Sequence, residues 1–102
     1  MFYHDVPYAL AAEAASRVVP HSNKCFNTPT KHAGWKPYPC AFVITTEDHV
    51  APPAMIRWML DEMFKDPEVE ARWDVHELAS SHSPFLSMPE KCAEIIIKYA
   101  EV

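Results

Sequence analysis

The sequence predicts an α/β domain with parallel strands, and three observations carry that prediction. "CAFVIT", Cys40 to Thr45, is an unbroken apolar run of the kind found in strands covered on both faces. "AMIRWMLDEMF" places Met55, Ile56, Met59, Leu60, Met63 and Phe64 at helical spacing directly after it. "ARWDVHEL" then sets Trp73, Val75 and Glu77 against Asp74, His76 and Leu78, a strand pattern. Two strands joined through a helix form a right-handed parallel unit.

The elements before and after fit this reading. Asp5 is placed to cap a helix starting near Pro7, and "VPYALAAEAASRVV" is rich in good helix formers until Pro20 stops it. Leu10, Ala14 and Val18 share one face, so this helix is expected to pack on something. Residues 20–39 hold four prolines and Gly34, and read as a long connection with one helical turn near Asn23 to Phe26. Pro52 and Pro53 open the middle helix, and Asp66 and Pro67 end it. After the loop "LASSHSPFL", "SMPEKCAEIIIKYAEV" gives a last helix. Ser87 and Glu90 stand at capping-box spacing there, and Pro89 suits its first turn. Residues 39–102 thus form a β-α-β-α unit, preceded by a helix and loop over 1–38.

Composition removes several function classes. The chain has 102 residues and a net charge of −5, with no basic stripe, so nucleic acid is not an expected partner. With a single glycine, neither G-x-G-x-x-G nor a P-loop can exist, and no nucleotide cofactor is expected. Cys25, Cys40 and Cys92 have no zinc-ligand spacing, and no H-E-x-x-H joins the histidines, so no metal is expected either. The cysteines read as thiols of a cytoplasmic protein. "YALAAEAASRVV" is too short and too charged to span a membrane, and no secretory signal opens the chain.

Ligands of open α/β sheets meet the loops at the carboxyl ends of the strands. One such loop here carries Glu47, Asp48 and His49, and the other carries His82. Parallel strands put both loops on the same edge, where a carboxylate can orient an imidazole as a general base. From residue types alone, Asp48 could equally start a turn before the helix, and His82 could decorate the surface. Glu47 is one position off and is expected to point away. His49 reads as a solvated turn residue and His76 as structural. His4, His21 and His32 lie far from both loops along the chain. Ser81 and Ser83 read as loop hydrogen-bonders, and the Met55, Met59, Met63 stripe as core.

"CAFVITTEDHVAPPAMIRWML", followed by "SSHSPFLSMPEKCAEIII", resembles the C-terminal part of an α/β-hydrolase. It is most similar to the methylesterases, hydroxynitrile lyases and similar small esterases. "FYHDVPYALAAEAASRVVPHSNKCFNTPT" resembles the end of that family's cap region and the return to the core. The resemblance covers nearly the whole chain. It implies that Asp48 is the acid and His82 the histidine of a Ser-Asp-His triad, that no cofactor is needed, and that the substrate is a small-molecule ester. It also implies a departure. The family's serine sits in a G-x-S-x-G elbow, and these 102 residues contain none. The nucleophile and oxyanion donors are therefore expected from outside them, as in a truncated esterase. The runner-up readings are a lyase of the same fold and a non-catalytic interaction module. Two parallel strands alone would also leave apolar edges open to self-association.

Overall fold

A computed structural model describes residues 1–69 and 73–100. Among the described residues seven elements follow in order: α1 (Tyr8–Ser16), α2 (Lys24–Asn27), β1 (Cys40–Thr45), α3 (Pro53–Met63), β2 (Trp73–Leu78), α4 (Pro84–Ser87) and α5 (Pro89–Ala100). Ala71 and Arg72, expected at the start of the second strand, and Glu101 and Val102, expected at the end of the last helix, lie outside the described residues.

The two strands pair in parallel, in a register that runs from Cys40 opposite Trp73 to Thr45 opposite Leu78. The ladder does not stop where the strands do. The Thr46 amide donates to the Leu78 carbonyl at 2.8 Å, and the Glu47 amide donates to the Ser80 carbonyl at 3.1 Å. Both loops after the strands are therefore bound to each other before either turns away. This continuation is what positions the site.

The core between these elements is thin. Ile44 is 1% exposed, and Leu60 of α3 and Leu78 of β2 are also buried. Helix α3 lies against β1, and Arg57 on it pairs with Glu77 on β2. Helix α5 is tied to β2 by polar contacts: the Tyr99 hydroxyl donates to Asp74 at 2.7 Å and meets Nε2 of His76 at 2.6 Å. The structural role expected for His76 matches this contact. The long connection covers the far end of the sheet. Trp35 packs edge-on against Trp73 at 5.3 Å, and Lys36 bridges Asp66 and Glu68 at 2.7 and 3.0 Å.

Several sequence expectations change here, mostly for one reason: the apolar faces are present but only partly covered. Strand β1 is not buried on both faces. Ala41 is exposed, and of its six residues only Ile44 is fully buried. Val75 of β2 is exposed, so the expected alternation does not map onto two clean faces. The methionine stripe is not core throughout, since Met55 and Met59 are exposed. Helix α1 buries no residue, with Leu10 and Val18 both exposed on the face expected to pack. It ends at Ser16, before Pro20 is reached.

Two expected caps also fail. Pro7 stands at the N-cap of α1, and the Asp5 side chain goes elsewhere. The last helix starts at Pro89. Ser87 ends α4, a short helix within the stretch expected as loop, and its hydroxyl donates to the Ser83 carbonyl at 3.4 Å instead of forming the capping box. The radius of gyration, 15.7 Å, exceeds the value of about 13 Å expected for a compact domain of 100 residues. This agrees with faces left uncovered.

The thin core makes Ile44 the residue on which sheet and helix most depend. Ile44→Ala should cost about 2–4 kcal/mol, read as a fall in the urea midpoint. Val75→Ala, on an exposed position of the partner strand, should change stability by about 0.5 kcal/mol or less. Equal effects from the two would show that the sheet is not held from the Ile44 side.

Candidate active site

Asp48 is built into its turn before any partner from β2 arrives. The chain leaves β1 at Thr45, turns, and re-enters a helix at Pro53. Pro52 and Pro53 fix the backbone there, and α3 starts with proline in its first turn. The turn aims the amides of Val50 and Ala51 at Oδ1 of Asp48, at 2.8 and 3.0 Å. The Thr45 hydroxyl donates to Oδ2 at 2.8 Å. This is the local side-chain-to-backbone bonding that aspartate favours in turns.

His82 comes from the loop after β2. Its Nδ1 lies 2.8 Å from Oδ2 of Asp48, across 34 residues of sequence. The acid side chain is 3% exposed and the imidazole 40%. The carboxylate is thus enclosed while the ring stays open to a reactant. Burial works against the charge on Asp48, but bonds from the Ala51 amide, His82, Thr45 and the Val50 amide outweigh it. Its pKa is held well below the ordinary carboxylate value. An ionised Asp48 can only accept, so the hydrogen between the two groups belongs to Nδ1. In the neutral imidazole this leaves the lone pair on Nε2, the atom that can take a proton from a reacting group.

The remaining candidates sort by position. Glu47 is exposed and contributes backbone groups only: its amide bonds Ser80 and its carbonyl accepts from His4. Ser81 and Ser83 are buried and hold the loop together, with the Ser83 amide donating to Oγ of Ser81 at 3.3 Å. His49 is not merely solvated, because its ring stacks on His4 at 4.2 Å. His4 itself, remote in sequence, donates from Nε2 to the Glu47 carbonyl at 2.8 Å. Among the described residues no three His, Cys, Asp or Glu side chains converge as metal ligands. A concavity of about 270 Å³ opens beside the pair, with Ile44, Ile56, Pro84 and Phe85 in its walls.

The N-terminal segment is the part of the site that sequence reasoning missed. Asp5, read as a helix cap, accepts from the Ser81 amide at 2.9 Å across 76 residues. Phe2 stands edge-on to the His82 ring at 5.5 Å. No local pattern signals contacts of such range.

A family model described as "Alpha/beta hydrolase family" matches residues 1–95. The chain belongs to the alpha/beta hydrolase family. A curated relative from Phoma sp. (strain ATCC 20986 / MF5453), described as "Probable hydrolase R7", is 28% identical over 97 residues. That match takes in 95% of this chain and 39% of the relative. The chain therefore spans about two fifths of the length of the relative it matches. No solved structure matches it. Asp48 and His82 lie on the loops after β1 and β2. Among the described residues, no helix of this alpha/beta hydrolase chain is long and apolar enough to cross a membrane.

The lowered pKa of Asp48 links the site to acid stability. In the unfolded chain Asp48 titrates near its ordinary value of 3.8. Its stabilisation is then complete above that pH and is lost as pH falls below it toward the lower folded value. Asp48→Asn places an NH2 against either the two amides or the Thr45 and His82 donors. It should cost about 1–3 kcal/mol at pH 7. The gap between wild type and variant, followed by urea titration, should narrow as the pH drops below about 4. A gap that is constant with pH would mean that folding does not shift the Asp48 pKa and that its donors do not stabilise the charge.

Proposed function

We propose that Asp48 and His82 are the acid and base of a serine hydrolase acting on small carboxylic esters, of the methylesterase-like branch. The 2.8 Å bond between Nδ1 and Oδ2 carries this reading, because it orients the imidazole and stabilises the cation formed when Nε2 takes up a proton. The nucleophile is a serine on a segment outside these 102 residues, as are the oxyanion donors. His82 removes the proton from that serine as its oxygen attacks the ester carbonyl. It then returns the proton to the departing alcohol. Water repeats the cycle on the acyl-enzyme and releases the acid. Asp48 stays ionised throughout and holds the tautomer. The apolar walls of the concavity beside the pair suit an uncharged acyl or alcohol group.

A second reading is favoured by one observation. These residues hold no G-x-S-x-G, and acid and base without a nucleophile lose the parts that supply most of the rate. On that reading the chain is a non-catalytic interaction module. Its exposed Trp58, Ile96 and Ile97 and its open strand edges would serve association, including with copies of itself.

Hydrolysis of p-nitrophenyl acetate separates the two. This chain alone should turn over no faster than its His82→Ala variant. In a polypeptide that joins these residues to a G-x-S-x-G segment, Asp48→Asn should lower kcat by about 10³- to 10⁴-fold. An unchanged rate there would remove Asp48 from the catalytic site and leave the interaction reading in place.

A further inference from the structure

The catalytic reading uses two loops and leaves the first residues of the chain without a role. Those residues touch both loops. On the acid side, His4 donates to the Glu47 carbonyl and stacks on His49, flanking Asp48 in sequence. On the histidine side, the Asp5 carboxylate accepts from the Ser81 amide at 2.9 Å, and the Ser81 hydroxyl donates to the Phe2 carbonyl at 3.1 Å. The Phe2 ring stands against His82 itself. Ser81 is completely buried, so its amide has no recourse to water and needs the Asp5 oxygen.

We propose that Asp5 is a positioning residue for His82: its carboxylate anchors the histidine loop through the Ser81 amide, and the segment from Phe2 to Asp5 braces that loop against the acid loop. The inference rests on the reading of Asp48 and His82 as a working pair. The anchored amide belongs to Ser81, the residue directly before His82, so a shift of the Ser81 backbone moves Nδ1 relative to Oδ2 directly. The anchor is a charged one. Burial opposes ionisation of Asp5, but the hydroxyl and amide of Ser81, with Ser87, outweigh it and hold its pKa below the ordinary value. The Ser81 hydroxyl can rotate between Phe2 and Asp5 to serve either. The other oxygen, Oδ1, is buried without a hydrogen-bond partner among the described residues.

Proton NMR of this chain tests the brace without any need for turnover. The hydrogen on Nδ1 of His82 should give a low-field signal that Asp48→Asn abolishes. If wild type lacks that signal, the pair itself is misread. If the signal is present, the inference stands or falls on Asp5→Ala. That variant should lose the signal and exchange the Ser81 amide at least tenfold faster, while amides of α3 keep their rates. Retention of the signal, or its loss together with a general rise in exchange, would overturn the proposal. Should Asp5→Ala not fold, Asp5→Asn decides, since a neutral acceptor makes a weaker bond. Its Ser81 amide should exchange about tenfold faster with α3 unchanged, and an unaltered rate would sink the idea.

Discussion

The parallel ladder that runs past the ends of β1 and β2 is the constraint from which the rest of the site follows. Two strands in register would by themselves bring their ends to one edge. The bonds from Thr46 to Leu78 and from Glu47 to Ser80 go further and fasten the outgoing loops together. Asp48 is the next residue after the last of these bonds, and His82 lies two residues beyond Ser80. Neither side chain then needs to reach. An antiparallel pairing of the same strands would put the two loops at opposite ends of the sheet and leave the site unmade.

The electrostatics divide the work between the two groups. Asp48 is enclosed and surrounded by donors, so its charge is fixed and its geometry determined. His82 has one strong partner and an open face, so its ring is oriented on one side and accessible on the other. Reversing the burial would defeat the arrangement that the proposed function needs. An enclosed imidazole could not meet a reactant, and an open carboxylate would be screened by water and hold the ring less firmly.

What could be read from the sequence, and what could not, separates along the range of the interactions. Strand β1, helix α3 and the proline-marked turns are written in local patterns, and each forms within a few residues of where the pattern places it. Parallel pairing put the loops of Asp48 and His82 on one edge, and the resemblance to an α/β-hydrolase, not the residue types, singled the two out as a pair. The degree of burial did not, because an apolar stripe such as Met55, Met59 and Met63 states what a helix can bury and not what lies opposite. Asp5 is the sharpest case. An aspartate two residues before Pro7 and a helix has the pattern of a cap, and a cap is a local bond. The Ser81 amide, 76 residues away, competes for the same carboxylate and holds it.

This division also explains how an ordered polar site can stand on a thin core. Three of the four groups bonded to Asp48 lie within three residues of it, so the acid half of the site is a property of one turn. Such a turn is stabilised by its own bonds and asks little of packing. The histidine half has no comparable local frame, since the Ser80 hydroxyl turns to the Ser81 carbonyl and the Ser83 amide turns to Ser81. Those bonds shape the loop but do not say where it sits. Its location is set by long-range ties, the ladder on one side and the N-terminal segment on the other. Loss of global packing would therefore act unequally on the two halves, leaving the carboxylate in its turn while the imidazole drifts from it.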